Sequence, residues 1–323
     1  MTDPILPQPY GWGLPKVESK VVVKVLTVNY ETPFLVPKRV QYEKPHLVKS
    51  GTAFIMKNRT LAVYNELKKK VTFLYHKLKL FTYENTTGRK LALPIIETIT
   101  LALYKQTQGI TTKIAIWNDF QPACSYKTLV VNMNRFALIA LRILYILLRQ
   151  NRKGAHLIKH TDATDIPVCL NKNARYHKTM YPLAEWGHSG KGLFYGLKLH
   201  ITSDLNRKLL SLMFTPGNTH GTQVFIQLNK DIDGMVVADA EYISEKLQQE
   251  FYQEHKRILF AKPRKNMKKI ITAWQYRLYN TRMIIELNFR NLKLFYGLVT
   301  SLPRSVNGYF AHYLYALVAY ALR

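Results

Sequence analysis

The chain has 323 residues, of which 47% are apolar and 21% are charged, so it can bury one large core or two modest ones. Its 47 Lys and Arg face only 20 Asp and Glu, and the net charge of +27 predicts a polyanionic partner. An anionic membrane surface would attract the same charge, so charge alone does not identify the partner as DNA. Two cysteines are too few for a disulfide framework or a four-ligand zinc site.

The most apolar stretches, 136–148 and 309–322, are shorter than the roughly 20 residues that a membrane-spanning helix needs. We therefore expect both to be buried helices of a cytoplasmic protein with no membrane partner.

Residues 1–55 are a proline-rich extension that we predict to be weakly ordered, because proline interrupts helices and strand ladders. Half of the 14 prolines lie there, at Pro4, Pro7, Pro9, Pro15, Pro33, Pro37 and Pro45. The segment contains no motif, and its sequence assigns it no role.

Residues 56–152 are predicted to be all helical. The stretch 61–81 has apolar residues at helical spacing, Pro94 can start the next helix, and Ser125 can cap a long helix that reaches about residue 148. This region is either a DNA-binding bundle or a plain helical support. No helix-turn-helix pattern places a recognition helix.

Residues 153–323 change to an alternating pattern of strands and helices. The predicted order is three strands, a helix, a strand, a helix, a strand and a long helix, at 157–162, 193–202, 209–215, 220–228, 235–238, 244–255, 258–261 and 271–296. This order matches an α/β ribonuclease-H-like catalytic domain, with a mixed sheet flanked by helices, after an all-helical N-terminal region.

Two predicted strands are each followed by an aspartate, Asp162 and Asp239. A carboxylate at the end of a buried strand is costly unless it is hydrogen-bonded or binds a cation. A third acid, Glu286, lies in the predicted helix over 271–296. At about 100° per residue it shares one narrow helix face with Tyr279, Arg282 and Lys293.

Three carboxylates from three separate elements can converge to hold two Mg²⁺ ions, which prefer hard oxygen ligands. Two such ions about 4 Å apart activate the attacking oxygen and stabilise the leaving oxygen in an in-line phosphoryl displacement.

These residues resemble the DDE transposases of bacterial insertion sequences, in the subgroup with a Tyr-x2-Arg-x3-Glu-x6-Lys signature. Tyr279, Arg282, Glu286 and Lys293 match every position of that signature. The segments HTDATDIPVC, FYGLKLHITSD, FTPGNTH and VVADAEY resemble successive blocks of the family in the same order. The resemblance is strong over about 155–300, weak over 60–150 and absent over 1–50.

The resemblance implies that Asp162, Asp239 and Glu286 are the catalytic, metal-binding acids, with two Mg²⁺ ions or Mn²⁺ as a substitute. It implies that Arg282 and Lys293 contact DNA phosphates near the cut and that Tyr279 positions the strand or a flipped base. The implied reaction is DNA cleavage at transposon ends followed by strand transfer into target DNA. The implied partners are double-stranded DNA and further copies of the chain on paired ends, near the bacterial nucleoid.

Two positions depart from the family pattern. Gly221 follows His220 where the family usually has Asp, and Glu241 stands where it usually has Gly. A glycine would allow a tight turn there, so Glu241 is expected to distort the second acid or to add a charge.

Further DNA contacts are predicted from three polar or basic segments. Lys198 lies on the polar face of a predicted strand, and Arg175 and Lys178 lie in the basic, aromatic loop 171–191. Arg264 and Lys265 belong to a basic run before the catalytic helix, which we expect to contact phosphates without sequence preference.

Two alternatives remain open at this stage. One is a ribonuclease-H-like nuclease without strand transfer, and the other is a degenerate copy that binds DNA without cutting it.

Overall fold

The computed structural model describes residues 52–84, 90–255, 257–263, 267 and 270–323. The predicted proline-rich extension lies outside these residues except for its last four, which belong to the first helix. The prediction that residues 1–55 are weakly ordered therefore remains a prediction.

The first part of the described chain is helical, and its helices begin where capping residues allow. Thr112 and Ser125 accept hydrogen bonds from the backbone N–H groups of Ala115 and Thr128, which have no partner inside their helices. The single helix expected after Ser125 is in fact two, which meet at Phe136. The five helices are α1 (Thr52–Lys77), α2 (Ile95–Thr107), α3 (Lys113–Phe120), α4 (Tyr126–Arg135) and α5 (Ala137–Lys153).

A six-stranded mixed sheet follows. Its strands are β1 (Ile158–Pro167), β2 (Glu185–Ser189), β3 (Gly192–Asp204), β4 (Leu209–Pro216), β5 (Met235–Ala238) and β6 (Ile258–Ala261). Strand β3 pairs antiparallel with β1, β2 and β4, whereas β1, β5 and β6 are parallel neighbours in that order. The predicted strands β5 and β6 are confirmed to the residue. Strand β1 extends five residues beyond its predicted end, and β2 was not predicted.

The remaining helices are α6 (Gly221–Leu228), α7 (Glu245–His255), α8 (Ala273–Asn280), α9 (Met283–Leu294) and α10 (Val306–Ala321). The prediction of one helix over 271–296 was wrong, because α8 and α9 are separated at Thr281 and Arg282. There the backbone N–H groups of Arg282, Ile284 and Ile285 bond to carbonyls three residues back, which tightens the turn.

Apolar side chains cover both sides of the sheet. One continuous core runs from α1–α5 to β1, β3, β4, α9 and α10, with α10 packed against α2 and α5. A second cluster lies around β5, β6, α6 and α7, where Phe225 contacts Tyr242 and Phe251. The predicted domain boundary at 152/153 remains a prediction, and the first core runs across it.

No single helix in the described segments is long and apolar enough to cross a membrane. Helices α4 and α5 pass that length and composition test only as a pair, which is bent by 41°.

Candidate active site

Asp162 and Asp239 lie next to each other at one edge of the sheet. The parallel pairing of β1 with β5 ends at Thr161 opposite Ala238, and each aspartate is the next residue of its chain. Aligned residues of parallel neighbours lie about 4.8 Å apart, so the register alone brings the two aspartates together. The sequence predicted that Asp162 lies at the end of its strand, and this was wrong. Strand β1 continues beside β3 to Pro167, so Asp162 lies within it.

Glu286 joins them from α9, and all three acids meet at one guanidinium. Nη1 of Arg282 lies 2.7 Å from Oδ2 of Asp162 and 3.8 Å from Oδ2 of Asp239. Nη2 of Arg282 lies 2.7 Å from Oε1 of Glu286, one helical turn along. The structure therefore gathers three carboxylates from a strand, a strand end and a helix around a single positive side chain.

The positive charge of Arg282 does not fully offset the cost of burying Asp162. The pKa of Asp162 is raised to about 7, chiefly by burial and to a smaller extent by the nearby charges of Asp239 and Glu241. Arg282 and the backbone N–H of Ala163 act in the opposite direction. A carboxyl group in this position becomes a carboxylate at neutral pH most readily when a further cation is present.

Tyr279 borders the acids from α8. Its hydroxyl donates a hydrogen bond of 3.2 Å to Oδ1 of Asp239, and Arg282 lies 5.8 Å from its ring centre. Because α8 and α9 are separate helices, Tyr279 does not share a continuous helix face with Glu286. The break nevertheless leaves both residues in contact with the same cluster.

Lys293 and Lys198 lie farther along the same region and are partly buried. The ammonium of Lys293 lies 2.9 Å from the Asp165 carboxylate, and that of Lys198 donates to the carbonyl of Thr219. Asp165 is a residue of β1 opposite Lys198 on β3, rather than the turn residue that its neighbours Ile166 and Pro167 predicted.

The break between α8 and α9 is tied to the sheet by a buried histidine. Nε2 of His160, on β1, lies 2.8 Å from the Thr281 hydroxyl, which itself donates to the carbonyl of Leu278. The hydroxyl oxygen therefore accepts from His160. Burial lowers the pKa of His160 to about 4, so the ring is neutral and acts as a positioning residue for Arg282.

Glu241 fits its position without backbone strain. It lies in a short 3₁₀ turn, Ala240–Tyr242, and is not among the described non-glycine residues with a left-handed backbone. The distortion that the sequence predicted from the missing glycine is therefore not found. Glu241 instead adds a charge to the site, which is the other effect predicted for it.

The remaining predicted DNA contacts lie outside the acid cluster. Arg175 and Lys178 are exposed on the connection between β1 and β2. They lie beyond the end of β1 at Pro167, which is itself roughly 16 Å along the strand from Asp162. Arg264 and Lys265 lie outside the described residues, and their predicted role is unchanged.

The chemistry of the three acids suits a divalent cation, because carboxylate oxygens are the hard ligands that Mg²⁺ and Mn²⁺ prefer. Within the segments that the structure describes, no group of three or more His, Cys, Asp or Glu is already arranged to hold a metal ion. The guanidinium of Arg282 lies among the three acids. Cation binding therefore requires Arg282 to give up part of its contacts with them.

Residues 152–305 match the family model described as Transposase DDE domain. Searches of curated proteins and of solved structures found no match to the chain. The matched segment contains Asp162, Asp239 and Glu286 together with the sheet that positions them. This part of the chain is therefore similar to the DDE domain of transposases, which supports a DDE transposase.

Proposed function

We propose that this chain is the transposase of a bacterial insertion sequence, built on a ribonuclease-H-like fold, that cuts DNA at transposon ends and joins them to target DNA. The observation that supports the proposal most strongly is the convergence of Asp162, Asp239 and Glu286 around Arg282 within the matched segment.

Asp162, Asp239 and Glu286 are the residues that would hold the divalent cations. When bound, Mg²⁺ or Mn²⁺ would supply Lewis acidity to the attacking water or hydroxyl and to the leaving oxygen. In the protein alone, Arg282 offsets the repulsion among the three carboxylates. Tyr279 fixes the second acid through its hydrogen bond to Asp239.

The net charge of +27 supports DNA as the substrate, because lysine and arginine that neutralise phosphates release condensed counterions. Exposed Arg175 and Lys178 are accessible to a duplex, whereas Lys198 and Lys293 would reach a phosphate only from partly buried positions. Assembly on paired ends and a cytoplasmic location are part of the same proposal. The family match does not favour a nuclease without strand transfer or a degenerate copy.

The test uses the purified full chain, Mg²⁺ and a duplex carrying the DNA that flanks the coding region, with a supercoiled plasmid as target. We expect cleavage at the transposon end and a joined product. Glu286→Gln should lower the cleavage rate more than about 100-fold, because it removes a ligand charge and little shape. DNA affinity should change little, since glutamine keeps the shape of the side chain.

Glu250→Gln, at a surface position of α7, is the matched control and should cut like the unmodified chain. Cleavage without a joined product would show that the chain is a nuclease without strand transfer. Binding without any Mg²⁺- or Mn²⁺-dependent nicking would identify a degenerate copy.

A further inference from the structure

A lysine lies in the same row of the sheet as the two aspartates. Strand β5 pairs in parallel with β6 up to Ala238 opposite Ala261, just as β1 pairs with β5 up to Thr161 opposite Ala238. The next residues of the three strands are Asp162, Asp239 and Lys262. Lys262 therefore stands one strand from Asp239 at the sheet edge where the acids converge.

Two aromatic rings hold the Lys262 ammonium in this position. Its Nζ lies 5.1 Å from the ring centre of Tyr276 and 5.1 Å from that of Tyr279. These rings come from adjacent turns of α8, and Tyr279 also donates to Asp239. Tyr279 thus links Lys262 to the acid cluster, because the same side chain holds the carboxylate of Asp239.

Among the residues that the structure describes, the ammonium of Lys262 has no hydrogen-bond acceptor, in contrast to the other site cations. Arg282 and Lys293 donate to carboxylates, and Lys198 donates to a backbone carbonyl. Among the described residues, the Lys262 ammonium has ring faces as neighbours and no carboxylate within 4 Å. A ring face attracts the charge of an ammonium but leaves N–H groups for an oxygen acceptor.

We propose that Lys262 binds a non-bridging oxygen of a DNA phosphate at the active site, with Tyr276 and Tyr279 holding its side chain in place. The ligand is a phosphodiester because its oxygens accept from the free N–H groups and its charge offsets the lysine. This inference rests on the proposed function. It assigns the phosphate contact to a lysine outside the Tyr-Arg-Glu-Lys signature.

The test compares Lys262→Met with Lys230→Met in the full chain, on a duplex carrying the flanking DNA. Methionine retains a flexible apolar stem over the two rings and removes the charge. Lys230 is exposed before β5, at the opposite edge of the sheet, so its replacement removes the same charge away from the site. Lys262→Arg tests whether another positively charged side chain at the same position restores the contact.

For Lys262→Met we expect DNA affinity to fall about 10-fold, and the slope of log affinity against log salt to decrease by about one. The single-turnover cleavage rate should fall about 10- to 100-fold. Lys230→Met should leave the cleavage rate unchanged, and Lys262→Arg should retain most of both properties.

A set of duplexes, each with one neutral methylphosphonate, distinguishes two roles of Lys262. It either binds a phosphate or only packs against Tyr279. At one position near the cut, neutralisation should weaken binding by the unmodified chain and have no effect on Lys262→Met. The inference is overturned if the unmodified chain cuts DNA and Lys262→Met matches Lys230→Met, or if no methylphosphonate discriminates the two proteins. If the unmodified chain does not bind and cut DNA, the proposed function is overturned together with this inference.

Discussion

At the scale of single residues, the two departures from the family pattern both adjoin Tyr242: Gly221 faces its ring, and Glu241 precedes it in the chain. A Cβ atom added to Gly221 would lie 2.4 Å from the hydroxyl oxygen of Tyr242, which is fully buried. Tyr242 follows Glu241 in the turn after Asp239. Because Gly221 has no side chain, the Tyr242 ring can occupy the space beside it. The sequence alone could not show that these two residues are in contact.

Gly221→Ala should therefore destabilise the fold by about 1–3 kcal/mol, because Tyr242 has little room to move in a packed core. Gly154→Ala is the matched control, since a Cβ there has nothing within 4 Å and should change stability by less than about 0.5 kcal/mol. Urea denaturation of the two variants measures the difference. Equal stabilities would show that Tyr242 does not depend on the glycine.

At the scale of elements, local sequence pattern predicted the short parallel strands better than the long helix. Strands β5 and β6 are compact apolar runs followed by charged residues, and their bounds were predicted in full. The break between α8 and α9 is hydrogen-bonded to His160, which lies 121 residues from Thr281 in the chain. Helical spacing cannot reveal such a contact, and it wrongly joined Tyr279 and Glu286 in one helix.

Another histidine joins three elements of the helical core. His312 on α10 accepts at Nδ1 from Gln106 on α2 and donates from Nε2 to the carbonyl of Gly297 after α9. Its pKa is lowered to about 4, chiefly by burial, with the charges of Lys105 and Lys113 acting in the same direction and the hydrogen bond to Gly297 opposing them. The ring is therefore neutral in the fold, with both nitrogens engaged.

This contact predicts a loss of stability in acid. Above pH 6.5 the ring is neutral in both states and its contribution is complete. Between pH 6.5 and 4 the unfolded chain takes up a proton and the fold does not, which costs up to about 3 kcal/mol by pH 4. The free energy of unfolding of the unmodified chain should therefore approach that of His312→Gln as pH falls. A difference that stays constant from pH 7 to 4 would contradict the assignment.

At the scale of the whole molecule, charge and element order predicted a basic α/β protein with helices before the sheet. They did not predict that α10, at the end of the described chain, packs between the N-terminal helices and the sheet. Such packing depends on which apolar faces meet, and the sequence pattern gives the faces but not their partners. The three candidate acids and their convergence were predicted, while their common contact with Arg282 required the structure.

The central claim is that Asp162, Asp239 and Glu286 hold a divalent cation, and thermal unfolding of the full chain with increasing Mn²⁺ tests it most directly. Since the cation would bind only the folded site, it should stabilise the chain by about 2.7 kcal/mol at 100 times its Kd. Asp162→Asn should lose this increase in Tm, and Asp231→Asn, at an exposed ion pair with Arg152, should retain it. No increase in the unmodified chain, or an equal increase in Asp162→Asn, would contradict the account.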